Sequence, residues 1–143
     1  MTKLSINDWL MSPSIQLLPK ITDTDADHYY HDHNFYEIFY IIDGTITHHY
    51  NGVKEVLKTG DTRLLRPGDK HAFIRKQGVA CAHRDIIITE QLFKESCDFI
   101  TPSLFEQINE LRQPLKATLS QTKLLGFEND FSKMFLHRCL WLH

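Results

Sequence analysis

Turn signals recur through the middle of the chain at short, near-regular intervals: Asp43-Gly44, Asn51-Gly52, Thr59-Gly60-Asp61, Arg66-Pro67-Gly68-Asp69 and Gln77-Gly78. Asn-Gly and Asp-Gly are the strongest of these, because both central residues of a type I′ hairpin turn need positive φ. Between them lie β-branched and aromatic runs at residues 35–42, 45–50, 53–58, 62–65, 71–76 and 79–89. Short strands at this spacing predict an all-β barrel or sandwich. The run Phe35-Tyr36-Glu37-Ile38-Phe39-Tyr40-Ile41-Ile42 is apolar on both parities, so it is expected to be covered on both sides.

The flanks read differently. Residues 1–27 are expected to form an arm with one edge strand around residues 14–20 and a polar turn at Asp23-Thr24-Asp25-Ala26-Asp27. After Thr89, whose hydroxyl suits an N-cap, the period becomes helical over residues 90–99. Thr101-Pro102 predicts a second helix start, running through Arg112 with Leu104, Ile108 and Leu111 on one face, and Pro114 ends it. A last helix is expected from about Ser120, with Leu124, Phe127, Phe131 and Phe135 in one stripe. The expected organisation is an arm at 1–27, a barrel at 28–99 and a helical extension at 100–143 that serves dimerisation or linkage.

Composition narrows the function. The chain has 143 residues, 42% hydrophobic and 24% charged, which suits one domain with a real core. No apolar run approaches the roughly 18 residues of a membrane span, and no long apolar stretch of a secretory signal follows Met1. The formal net charge of −2 argues against direct DNA binding by these residues. The 3 cysteines (Cys81, Cys97 and Cys139), an odd number without a CxxC, argue for a reducing, cytoplasmic setting. Cys81 reads as a small buried hydrophobe.

The chemistry concentrates in His31-Asp32-His33-Asn34-Phe35-Tyr36-Glu37. In an extended chain His31, His33 and Glu37 share a parity, so two imidazoles and a carboxylate point to one face. That donor set suits Fe, Mn, Ni, Co or Zn. A fourth ligand must come from another strand, and His71, just after the Arg66-Pro67-Gly68-Asp69 turn, is the candidate. Arg63 and Arg75 could hydrogen-bond an anionic or hydroxyl-rich ligand, although strand arginines more often face solvent. Tyr36 belongs to an aromatic group that could stack on a sugar ring, and His83 alternates with Arg84, so one of that pair can reach a pocket. His48 and His49 point to opposite faces and read as ordinary strand residues.

Together these residues resemble a cupin. The family's first motif is matched at His31, His33, Glu37 and Gly44, and its second by Gly60-Asp61 through Pro67-Gly68-Asp69-Lys70-His71. Two positions depart from the pattern: Asp25 replaces an early glycine, and Arg75 a late asparagine. The strand Arg84-Asp85-Ile86-Ile87-Ile88 and the helices after it resemble the N-terminal effector-sensing half of AraC-type transcriptional regulators. The resemblance implies a mainly β, jelly-roll-like cupin barrel with a C-terminal helical extension. It implies a divalent metal (Zn, Ni, Fe or Mn) on His31, His33, Glu37 and His71, and a small polar effector, often a sugar. It also implies a homodimer built through the helices, with DNA contacted only by a domain outside these residues. A metal-dependent cupin enzyme, such as a dioxygenase or sugar isomerase, is the rival reading. The helical tail, which a catalyst does not need, and the lack of a general base beyond the ligands favour the sensor. A metal-free interaction module is a third.

Overall fold

The strand β5 (Tyr36–Tyr50) organises the fold, because its two halves belong to different sheets. The chain is described by a computed structural model over residues 2–4, 15–17, 21–23 and 29–141. Up to residue 44, β5 lies between β7 (Asp61–Leu65) and β9 (Cys81–Ile88). From residue 45 onward it lies between β6 (Val53–Lys58) and β8 (His71–Ile74). The first sheet extends through β10 (Leu115–Thr118) on β7, and through β2 (Ile15–Leu17) and β3 (Ile21–Asp23) on β9. The second extends from β8 to β4 (His31–His33) and on to β1 (Thr2–Leu4). Among the described strands, all pairings are antiparallel except β1 with β4. This is the mainly β, jelly-roll-like arrangement that the sequence predicts. Of the expected N-terminal features, a strand forms at Ile15–Leu17, whereas Thr24 to Asp27 lie outside the described residues.

The change of sheet happens at Asp43-Gly44, expected from its composition to be a hairpin turn. It is instead a bulge within a continuous strand, where the register against β9 skips between Ile41 and Asp43. Gly44 has φ +85, and a Cβ there would lie 2.0 Å from the Ala80 carbonyl oxygen, so no other residue fits. The same preference for positive φ at Asn51 (φ 41) and Gly52 (φ 87) does make the predicted hairpin, between β5 and β6. The bulge reverses the parity of β5. Glu37, Phe39 and Ile41 face inward before it, and Ile46, His48 and Tyr50 after it.

Between the sheets, Phe39, Ile41, Ile46, Tyr50, Leu57, Leu65, Phe73 and Cys81 form the inner core. Outside the first sheet, α1 (Glu90–Ile100) and α2 (Leu104–Glu110) cover a second cluster of Tyr36, Leu64, Phe93, Cys97 and Ile108. Thr89 caps α1 as expected, its hydroxyl accepting from the Leu92 N–H at 3.3 Å. The second helix starts after Ser103, a left-handed residue (φ 66), rather than at Thr101-Pro102.

The helical extension differs from expectation in two respects. Leu104 and Ile108 pack on the chain's own sheet, and Leu111 is 41% exposed beyond the helix end, so the three do not form one continuous helix face. Its middle contains β10, whose four residues are all exposed and therefore carry no periodic signal. The last helix, α3 (Gln121–Trp141), buries Leu124 and Phe131 but leaves Phe127 and Phe135 exposed.

Candidate functional site

The two motifs meet where β4, β5 and β8 converge. His31 stands directly across from His71 in the β4–β8 pairing, and the Gly68 N–H donates to the His33 carbonyl at 3.0 Å. The turn before His71 is braced on its other side by Asn51, whose N–H donates to the Lys70 carbonyl at 2.8 Å and whose side chain accepts from the Lys70 N–H at 2.8 Å. Asp69 closes the turn, accepting from the Arg66 N–H at 2.8 Å and from the Arg66 guanidinium. Burial alone would push the Asp69 carboxyl up, but Arg66 and Asn51 hold it below its ordinary value.

Donor atoms of His33, Glu37 and His71, all buried, lie within 4.8 Å of one another. Glu37 Oε2 is 3.2 Å from His33 Nε2 and 3.7 Å from His71 Nε2. Two donors about 2.1 Å from a shared cation stand roughly 3.0 to 3.4 Å apart at right-angled to tetrahedral geometry; the 3.2 Å separation falls in that range and the 3.7 Å one a few tenths of an ångström beyond it. His31 does not belong to this group of three. Its ring lies 4.5 Å from that of His71 and 6.3 Å from that of His33, beside the cluster.

The direction of each imidazole follows from what its other nitrogen touches. A carbonyl can only accept, so His33 Nδ1 donates to Phe35 O at 2.7 Å, and His31 Nδ1 to Tyr29 O at 2.8 Å. Each therefore presents Nε2 as an electron-pair donor when neutral. His33 Nε2 is buried without a hydrogen-bond partner, facing the Glu37 carboxylate. Electron pairs from an imidazole and a carboxylate, shut away from water, repel unless a positive charge lies between them. The residues present thus fit a divalent cation.

His48 is the residue that sequence reasoning missed. It is fully buried, and its Nδ1 lies 3.1 Å from Glu55 Oε1 and its Nε2 3.4 Å from His71 Nδ1. Burial pushes its pKa down to about 4, against the opposing pull of Glu55. Burial would raise Glu55, but hydrogen bonds from Arg63, His48 and Lys116 outweigh it and hold the carboxyl at about 2. The sequence offers Asp43-Gly44 without saying whether it is a hairpin or a bulge; carrying parity through the bulge, with one extra residue, turns His48, rather than His49, inward. His49 instead stacks on Tyr30, with ring centroids 4.6 Å apart.

The other expected ligand residues divide. Arg63 faces the interior but is engaged by Glu55 through two bonds of 3.0 Å, and by its neighbour's carbonyl. His83 is buried with its Nε2 3.4 Å from Asp85 Oδ2, and lies against Phe73. Burial lowers the pKa of Arg75. Along β9, His83 is four positions from Ile87, the residue opposite Glu37, which is about 13 Å of strand. These groups line the same interior without joining the metal-ligand cluster.

Tyr36 points the other way. It stacks on Phe93 with centroids 4.0 Å apart, and its hydroxyl donates to Asn109 of α2 at 2.8 Å. Burial raises its pKa. Arg66 reaches the same helix end, donating to the carbonyls of Ile108, Asn109 and Leu111 at 3.3, 3.2 and 2.6 Å. The residue beside Glu37 and the turn before His71 therefore both contact α2.

Residues 19–133 match the family described as the AraC-like ligand binding domain. The chain belongs to that family. Its fold is similar to that of ToxT K231A from Vibrio cholerae, with a TM-score of 0.65 at 12% identity, covering 85% of this chain and 48% of that one. ToxT from the same organism bound to (E)-4-(8-methylnaphthalen-1-yl)but-3-enoic acid gives 0.64 at 12% identity, covering 85% and 49%. The chain thus spans about half the length of the ToxT structures it matches. The polyketide cyclase RemF from Streptomyces resistomycificus is similar in fold, with a TM-score of 0.50 at 17% identity, covering 56% of this chain and 58% of that one. No curated protein sequence matches the chain.

Proposed function

We propose that this AraC-like ligand binding domain is the effector-sensing part of an AraC-type transcriptional regulator, holding a divalent metal and a small polar effector, such as a sugar, inside the barrel. In this reading the regulator is cytoplasmic, assembles as a homodimer and contacts DNA through a domain outside these residues. The observation that carries the metal is the convergence of His33, Glu37 and His71 donor atoms within 4.8 Å in a buried site. His31, beside them, is the candidate fourth ligand. A bound cation would act as a Lewis acid that fixes an oxygen of the effector.

The protein's own residues do the rest. Arg63, Arg75, His83 and Asp85 give the interior polar partners for hydroxyl or carboxylate groups. Tyr36 and Arg66 connect the walls of the site to α2. An effector shifts the helices only by the difference in its affinity for two arrangements of that contact. ToxT, which shares the fold, is bound to a small carboxylic acid, and that supports a small-molecule effector here.

Metal analysis of purified protein and of a His33→Ala/His71→Ala variant tests the centre. The expected outcome is about one divalent ion per chain in the wild type and none in the variant; equal content in both would sink it. Thermal-shift screening of sugars and small organic acids, with turnover measured in parallel, tests the role. A ligand-dependent rise in melting temperature without turnover supports sensing. Metal-dependent turnover would replace this reading with the cupin-enzyme one.

A further inference from the structure

Of the three histidines around the candidate metal centre, two have their tautomers written into the local backbone. His31 and His33 both donate from Nδ1 to carbonyls two residues away. His71 differs: its Nδ1 faces the side chain of His48 on another strand, at 3.4 Å. His48 in turn faces Glu55 across the β5–β6 pairing, where the two are register partners.

We propose that Glu55 and His48 form a positioning relay that sets the tautomer of His71, keeping its Nε2 unprotonated and turned toward Glu37 and His33. This rests on the metal-centre reading above and adds to it the residues that ready the third ligand. An ionised carboxylate only accepts hydrogen bonds, so the proton between Glu55 and His48 sits on His48 Nδ1. A neutral imidazole carries one N–H, which leaves His48 Nε2 as an acceptor. The proton between the two rings then sits on His71 Nδ1. By elimination His71 Nε2 holds an electron pair, and it lies 3.7 Å from Glu37 Oε2.

The outer end of the relay is fixed in the acceptor state. Arg63 binds both Glu55 oxygens, each at 3.0 Å, and Lys116 adds a contact of 2.9 Å. The carboxylate is therefore oriented by two cations before it meets His48. The inner end is fixed by the strands: His71 pairs with Tyr50, two positions along β5 from His48, and the rings of His48 and His71 meet edge to face at 5.6 Å. Second-layer partners of ligating histidines typically change metal affinity by about 10- to 100-fold when removed.

The test uses the 143-residue chain and Zn²⁺ as the probe. Long-range ¹H–¹⁵N correlation of the histidine rings in metal-free protein reads each tautomer directly. The relay predicts an Nδ1–H tautomer for His71 in the wild type. In Glu55→Gln the amide can donate to His48 Nδ1, which reverses both bonds and moves the His71 proton to Nε2. Zn²⁺ affinity, from competition with a chromophoric chelator, should fall about 10- to 100-fold in that variant. His48→Leu should lose the tautomer preference and a similar factor. His48→Gln, whose amide can donate to Glu55 and accept from His71, should recover most of both relative to His48→Leu.

An Nε2–H tautomer in the wild type, or a His71 tautomer unmoved by Glu55→Gln, overturns the relay even if Zn²⁺ still binds. Tautomers that move as predicted in a protein with no Zn²⁺ affinity would leave the relay standing and overturn the metal centre instead. Should His48→Leu not fold, Glu55→Gln and His48→Gln carry the test by themselves.

Discussion

The two faces of β5 border two different interiors. The inward face meets a mixed space in which Phe39, Leu57 and Phe73 share burial with His33, Glu37, His48, Arg63, His71 and Asp85. The outward face meets Leu64, Phe93, Cys97 and Ile108, an apolar layer with polar ties at its margins: Tyr36 to Asn109, and Tyr40 to Glu128 at 2.8 Å. Hydrophobic burial is non-directional and tolerates sliding, whereas buried hydrogen bonds and charges demand fixed positions. The inner space is thus built for geometric constancy and the outer for attachment. The effector-sensing role proposed above would need both, a site that holds still and a cover that can shift.

Substitutions can break or sharpen this contrast. Phe39→Ala, at a wholly buried position touching Phe73 and His48, should cost about 4 kcal/mol in urea unfolding and disturb both sheets together. Phe93→Ala, at the outer layer, should cost about 3 kcal/mol because the helices can settle into part of the space. Amide exchange should speed up in α1 and α2 while Zn²⁺ affinity holds; a fall beyond about tenfold would mean that the faces are not separable. Arg66→Ala removes donors from two α2 carbonyls, from that of Leu111 just past the helix, and from Asp69, so a loss of about 2 kcal/mol is expected, with exchange protection lost first at the end of α2.

Acid should weaken the inner face selectively. The Glu55 carboxyl sits at about 2 in the fold against an ordinary 4.5. Its contribution is complete above the ordinary value and is lost as pH falls from there through about 2, because the unfolded chain takes up the proton first. After allowance for its partial exposure, wild type should lose about 1 to 2 kcal/mol more than Glu55→Gln between roughly pH 5 and pH 2. Lys94→Ala, which breaks an exposed pair with Asp98 on α1 and a 5.6 Å contact over the Phe105 ring, should lower the melting curve only slightly, the smallest effect of the series.

Strand parity made much of the site legible. Parity grouped His33 with Glu37, and the two do converge, although a bend at residues 34 and 35 puts them on separate strands; the Pro67-Gly68 turn located His71. His31 obeys the same parity, yet it stands beside the cluster because position along a strand, as well as face, decides which donors converge. Asp43-Gly44 and Asn51-Gly52 carry the same local chemistry, and only the strands around them decide that one is a bulge and the other a hairpin. From that ambiguity followed the misreading of His48, whose facing depends on the residue count through the bulge. Tyr36 was placed by its type, whereas its parity, opposite to Glu37, sends it to the helices. The edge strand β10 left no trace, since all four of its residues are exposed.

That edge strand has a consequence for how the molecule comes apart. Its backbone pairs with β7 alone among the described strands, yet it joins α2 to α3 and carries Lys116, which touches Glu55 of β6. Four solvent-washed residues are a weak clasp, so β10 is expected to detach in brief excursions well below the energy of global unfolding. Each excursion would give the third helix slack while the barrel stays shut, and would withdraw one cation from the Glu55 carboxylate. The connector between the helices is thereby wired to the electrical balance of the lumen.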